Sequence, residues 1–213
     1  MAIIQSHAVV AKTRKKNAQP LLAYSLHEQQ TSLFPLNGNG HAVFRDPAFA
    51  DNKNLPLHRW VPWIAGYSAS FVDDAISTYL ANRKAAVVLD PFCGVGTTLL
   101  QAVLRGHNAI GFEINPYPAL AVRVKLSAPA INLAELEVKL ADMERAARSW
   151  RTTSAPESVA PPYYKSRLPF FSTKVEKQVL HALAFIDRME TEAIANLFRV
   201  AFGAIMVSIS NTG

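Results

Sequence analysis

Residues 87–101 read VVLDPFCGVGTTLLQ, and their reading decides the fold. A short apolar run ends at Asp90, the chain turns through Gly94 and Gly96, and two threonines lead into a new apolar stretch. The run AAVVLD is too short for a helix and rich in β-branched residues, so it reads as a buried strand; TTLLQAVLRG is then a helix stopped by Gly106. NAIGFEIN follows as a second strand, and PYPALAVRVKLS as a second helix opened by prolines, whose fixed φ suits a first helical turn. Strand, helix, strand, helix over about 40 residues is a βαβα unit, which predicts parallel strands with helices packed on the sheet.

Upstream, SASFVDDAISTYLANRK places Phe71, Val72, Ala75, Ile76, Tyr79 and Leu80 at helical spacing, with Ser68 or Ser70 as N-cap. Residues 56–71 are aromatic and interrupted by prolines, too irregular for one periodic element. Residues 1–55 read as an irregular extension with one or two short elements. Its basic cluster (Lys12, Arg14, Lys15, Lys16) is a solvated tail before it is a phosphate contact. Downstream, residues 132–151 predict an amphipathic helix, TTSAPESVAPPYYKSRLP a loop, and residues 172–190 and 191–208 two more helices capped by Ser172 and Thr191. No internal repeat is present.

Of the 213 residues half are apolar and 18% charged, enough to bury a sizeable core as one domain with a small appendage. The net charge of +6 suits a polyanionic partner without requiring one. A single cysteine, Cys93, excludes an internal disulfide framework and any zinc site built on several thiolates, and favours a reducing cytoplasm. It reads as a small residue in a tight turn. The first residues have their charges after the apolar stretch, the wrong order for a secretory signal, and no apolar run is long enough to span a bilayer, so a membrane is not an expected partner. No His, Asp and Glu cluster has metal-ligand spacing, and His107 after Gly106 is expected at the surface.

The loop after Asp90 lies at the carboxyl end of a parallel strand, where open α/β sheets bind ligands. A triphosphate loop would carry Gly-Lys-Ser/Thr, but no Lys follows Gly96. A dinucleotide loop would carry a third glycine where Leu99 stands, which weakens that reading. S-adenosylmethionine has no phosphate; it presents an ammonium-bearing amino-acid end, a ribose diol and an adenine. Asp90 can pair with the ammonium, Gly94 and Gly96 let the backbone approach the ligand, and Glu113, at the end of the second strand, can accept from both ribose hydroxyls.

The stretch LDPFCGVGTTLLQAVLRGHNAIGFEINPYPALAVRVK resembles the S-adenosylmethionine motif of the DNA methyltransferases that methylate exocyclic amines, giving N6-methyladenine or N4-methylcytosine. Upstream, HRWVPWIAGYSASFVDDAI resembles the segment that completes their cofactor pocket. The resemblance covers residues 57–126. It implies a Rossmann-like α/β methyltransferase fold over residues 56–213, with few parallel strands followed by a helical region at 132–208. It further implies that Asp90, Phe92, Gly94, Gly96, Thr97 and Glu113 contact S-adenosylmethionine, with Tyr67 and Ser68 behind it. His58, Trp60 and Trp63 are candidates for the pocket mouth or for DNA, with core packing the alternative.

Members of the family add a catalytic [Asp/Asn/Ser]-Pro-Pro-aromatic tetrapeptide, which accepts hydrogen bonds from the target amine and stacks on the flipped base. The chain has one Pro-Pro-Tyr, Pro161, Pro162 and Tyr163. It is preceded by Ala160, which offers no acceptor, and by a polar, proline-containing stretch unsuited to a buried strand, so a connector is the preferred reading. The expectation is an N-terminal part of a longer or split DNA methyltransferase, its catalytic motif and target recognition lying beyond Gly213 or on a second chain. The alternatives are an RNA methyltransferase acting on tRNA or rRNA, and a non-catalytic S-adenosylmethionine-binding subunit.

Overall fold

The computed structural model describes residues 2–6, 44–63, 66–157 and 169–211. Its centre is the βαβα unit: β2 (Val87–Asp90), α2 (Thr97–Leu104), β3 (Asn108–Glu113) and α3 (Pro116–Ser127). β2 and β3 pair in parallel, Val87 opposite Asn108 and Asp90 opposite Gly111. Local chemistry sets the boundaries. Gly106 leaves α2 with φ +78°, and Asn115 opens α3 by accepting from the Tyr117 N–H at 3.1 Å, with Pro116 in the first turn.

A third strand, β1 (Ala2–Ser6), pairs antiparallel with β3, Ala2 opposite Glu113 and Ser6 opposite Ala109, so the sheet order is β1-β3-β2. This corrects the expectation of two strands; β1 is one short element within the N-terminal extension. The apolar residues of AIIQS satisfy their backbone by joining an existing edge, a relation more than 100 residues apart that no local pattern carries.

Strand alternation and register divide the sheet into two faces. Val88 and Ala109 pack with Val72 and Ile76 of α1 (Ala69–Tyr79), Leu99 and Ala102 of α2, and Ala119 and Val122 of α3. Cys93 and Leu99 press so closely on Gly111 that a Cβ there would lie 2.8 Å from each. Val87 and Leu89 point to the opposite face and are 62% and 60% exposed. Leaving them there forgoes about 1–2 kcal/mol of burial each. Among the described residues, β2 also pairs only with β3, so its other edge is open.

α4 (Leu133–Ala147), α5 (Thr173–Asp187) and α6 (Glu192–Ile205) form a helical layer. It joins the sheet domain through α3: the Tyr117 hydroxyl donates to the Val200 carbonyl at 3.0 Å, and its ring lies where a Cβ on Gly203 would be. Ile186, Ile194, Ala195 and Phe198 make the layer's own core. Ser172 caps α5 as expected, accepting from the Val175 N–H. Thr191 does not cap α6 with its side chain; its hydroxyl donates instead to Glu135 of α4. His107 is buried, not at the surface, because the turn at Gly106 folds its backbone N–H onto the Ala102 carbonyl at 2.8 Å.

Candidate cofactor site

The site is assembled at the carboxyl ends of β2 and β3. Asp90 ends β2 and folds its carboxylate back on the loop, Oδ1 accepting from the Phe92 N–H at 3.0 Å. Cys93 N–H donates to the Phe112 carbonyl at 3.0 Å, which ties the loop to β3, and Gly96 N–H closes a turn on the Cys93 carbonyl at 2.7 Å. Gly94 and Gly96 have φ of +50° and +82°, the left-handed region that a side chain resists. Thr97 then begins α2 with no side-chain cap, so the first N–H groups of the helix face outward without a capping acceptor, a partial positive charge suited to a carboxylate.

Glu113 ends β3, and its Oε1 accepts from the Asn115 N–H at 2.7 Å. Both carboxylates act on the Cys93 thiol: burial pushes it up to about 12, and the charges of Asp90 and then Glu113 add to that shift. Cys93 is therefore a thiol at neutral pH and no nucleophile.

The pocket over this loop is lined by Trp63, Gly66, Tyr67, Asp90, Phe92, Cys93, Gly94, Val95, Thr97 and Thr98. Its charged side chains are one carboxylate, with no Lys or Arg, which disfavours a phosphate and suits a ligand bearing positive charge and hydroxyls. Phe92 is 87% exposed at the rim, an aromatic face open to a planar group. The donor and acceptor set thus fits S-adenosylmethionine: acceptors for the ammonium and the diol, uncapped N–H groups for the carboxylate, and aromatic surface for the adenine.

Of the eight sequence-predicted residues, five line this pocket, Tyr67, Asp90, Phe92, Gly94 and Thr97, and Gly96 lies in the turn between two of its lining residues. Glu113 stands at the neighbouring strand end, outside the lining. Ser68 is fully buried behind it: its hydroxyl accepts from the Phe71 N–H at 3.1 Å as the cap of α1 and donates to the Asp46 carbonyl at 2.5 Å. Asn52, also fully buried, donates to the Tyr67 carbonyl at 2.9 Å and accepts from the Ala69 N–H at 2.8 Å, so it fixes the position of Tyr67. Trp63 reaches the pocket beside Gly94, whereas Trp60 lines an apolar groove of about 330 Å³ between α4 and α6. His58 is buried, and burial together with the charge of Lys125 lowers its pKa to about 4. Gly66, Val95 and Thr98 were not singled out by the sequence; their backbone proximity to the pocket follows from the turn. Pro161, Pro162 and Tyr163 lie outside the described residues.

Residues 67–122 match a protein-family model described as DNA methylase, that of the N6 and N4 methyltransferases. The segment is thus similar to the amino-methylating DNA methylases. The relatives agree. The Type II methyltransferase M.BsoBI of Geobacillus stearothermophilus is 36% identical over 90 residues, 42% of this chain and 18% of that one. M.MjaII of Methanocaldococcus jannaschii is 36% identical over 62 residues, 28% and 12% of the two chains. M.AvaI of a Nostoc species is 31% identical over 78 residues, 37% and 16%. The match thus spans less than a fifth of the length of these methyltransferases. No solved structure matches the chain significantly. The matched segment runs from the start of α1 into α3 and includes the loop between β2 and α2, which forms most of the pocket. Among the described residues no group of His, Cys, Asp and Glu is placed to hold a metal, and no helix is long and apolar enough to cross a membrane.

Proposed function

We propose that this chain binds S-adenosylmethionine in a Rossmann-like half-domain and serves a DNA methyltransferase that acts on adenine N6 or cytosine N4. The observation that carries the reading is the pocket's charge: Asp90 is its charged lining residue, Glu113 ends the adjacent strand, and no Lys or Arg lines it. The bound cofactor supplies an electrophilic methyl group. The chain's own residues contribute holding: Asp90 and Glu113 accept, the uncapped start of α2 faces the carboxylate, and Phe92 and Tyr67 bound the open side.

Methylating an exocyclic amine also needs an acceptor that takes hydrogen bonds from the NH₂ as the methyl carbon approaches. We assign that acceptor to a further strand-bearing segment, on this polypeptide or a second one, seated along the open edge of β2. The exposed apolar pair Val87 and Leu89 beside that edge supports this reading, since a strand with a covering helix would bury both. DNA is the proposed substrate, from the family description and the relatives' names.

A transfer assay with methyl-labelled S-adenosylmethionine and duplex DNA, followed by digestion to nucleosides, tests the reading. Label in N6-methyladenine or N4-methylcytosine identifies the reaction. Label appearing in RNA and not in DNA overturns the substrate. Cofactor binding without transfer, even with an added polypeptide carrying an [Asp/Asn/Ser]-Pro-Pro-aromatic tetrapeptide, marks a non-catalytic subunit.

A further inference from the structure

Behind the loop lies a buried charge that the pocket does not use. Lys125, in the last turn of α3, is 2% exposed, and its Nζ donates to the Val95 carbonyl at 3.0 Å. Val95 stands between Gly94 and Gly96. Glycine adopts either hand of φ at little cost, so flanking glycines leave the orientation of the Val95–Gly96 peptide weakly determined by local preference. Something outside the loop must choose it. One turn earlier on α3, Val122 lies under Gly96, where a Cβ would come within 2.7 Å of a Val122 methyl. The inner face of α3 therefore supports the turn at two successive points, by contact at Gly96 and by a charged hydrogen bond at Val95.

The charge is not there for stability. Among the described residues no carboxylate lies within ion-pair distance of Lys125, and burial lowers its pKa to about 8. The titratable group that couples to it is His58, and that coupling is repulsive. An isolated ammonium in a low-dielectric site costs free energy that an unbranched apolar side chain of similar volume would not.

We propose that Lys125 is a positioning residue for the cofactor loop: its ammonium holds the Val95 carbonyl turned into the core and so keeps the 94–98 backbone in the form that receives S-adenosylmethionine. The inference rests on the reading of this pocket as a cofactor site. It separates two properties that a purely structural residue would move together. Removing the charge should leave the fold as stable or more so, while the loop loses its shape.

The test compares the full chain with Lys125→Met, which keeps the stem, in three measurements: thermal midpoint, S-adenosylmethionine affinity by calorimetry, and amide exchange at residues 93–98. The expected result is an unchanged or raised midpoint, affinity weakened about tenfold or more, and faster exchange confined to the loop. Unchanged affinity and exchange would overturn the proposal, as would an affinity loss that tracks a lowered midpoint. Should Lys125→Met not fold, Lys125→Gln is measured in the same way; failure of both to fold makes the residue a folding requirement and also overturns the proposal. If the unsubstituted chain does not bind S-adenosylmethionine, the cofactor reading fails, and the exchange comparison alone decides whether Lys125 sets the loop.

Discussion

Gly96 sits directly on Val122, so close that a single added carbon would lie 2.7 Å from the Val122 Cγ2, and its φ is +82°. The sharp turn from β2 into α2 needs both the missing side chain and the left-handed backbone. Gly96→Ala should therefore lose stability twice, through strain at positive φ and through overpacking against α3, by about 2–4 kcal/mol together. Urea denaturation measures it. A loss under about 0.5 kcal/mol would show that the loop relaxes around the new methyl group.

Asp90 has two tasks that a substitution can separate. Its Oδ1 holds the Phe92 N–H, and its charge faces the pocket. Asp90→Asn keeps an acceptor for the turn and removes the charge. Stability should change by less than about 1 kcal/mol while S-adenosylmethionine affinity falls about tenfold or more. An equal affinity in the two proteins, measured by calorimetry, would remove Asp90 from the site.

Glu113 should act by its hydroxyl-accepting geometry instead. Glu113→Gln leaves an acceptor for the Asn115 N–H but replaces one carboxylate oxygen by a donor, which cannot accept from a ribose hydroxyl. The expected discrimination is selective: S-adenosylmethionine weakens, whereas an analogue lacking the ribose hydroxyls binds both proteins alike. Parallel losses for the two ligands would place Glu113 outside the contact.

His58 makes stability depend on pH in a defined window. Unfolded, its ring has the ordinary pKa of 6.5; folded, burial first and the charge of Lys125 second hold it down to about 4. Between those values the unfolded chain binds the proton and the folded chain does not. Stability is therefore full above pH 6.5 and falls as the pH drops from 6.5 to 4, by about 3 kcal/mol at most from this residue. Asp73 and Asp74, held below their usual range by hydrogen bonds from Arg105 and Arg45, lose their contribution only at more acid pH. His58→Gln should flatten the profile between pH 4 and 6.5; an unchanged slope would assign the acid sensitivity elsewhere.

Asn52 connects the fold to the site. Its amide spans the Tyr67 carbonyl and the Ala69 N–H in a fully buried position, so Asn52→Ala leaves both backbone groups unpaired. The expected loss is about 2–4 kcal/mol, with fluorescence of the Tyr67 and Trp63 region altered before global unfolding. Loss of less than about 1 kcal/mol would mean that water replaces the amide.

The part of this fold legible in the sequence is the part whose signals are local. β2, the glycine turn, α2, β3 and α3 were each marked by a strand run, a left-handed Gly or an Asn-Pro start, and α3 spans the predicted residues Pro116–Ser127. The misses are relations between distant segments. β1 exists because β3 offers an edge; Thr191 turns from its own helix because Glu135 competes for its hydroxyl; His107 is buried because Gly106 reverses the chain. Lys125 falls at the right period for the inner face of α3, but charge argues for solvent until the Val95 carbonyl is seen beside it. Ser68 was legible as the N-cap of α1, where its hydroxyl accepts from the Phe71 N–H, while its bond to the Asp46 carbonyl is a distant relation.

The central claim is that the 90–98 turn, with Glu113 beside it, holds a methyl donor and not a phosphate. Calorimetric titration of the full chain with S-adenosylmethionine, ATP and NAD in parallel tests it directly. Saturable binding of S-adenosylmethionine with a Kd of about 1–100 μM, weakened about tenfold or more in Asp90→Asn and absent for the two phosphate ligands, is the predicted result. Binding of ATP or NAD in preference to S-adenosylmethionine, or no binding of S-adenosylmethionine by the folded chain, would contradict it.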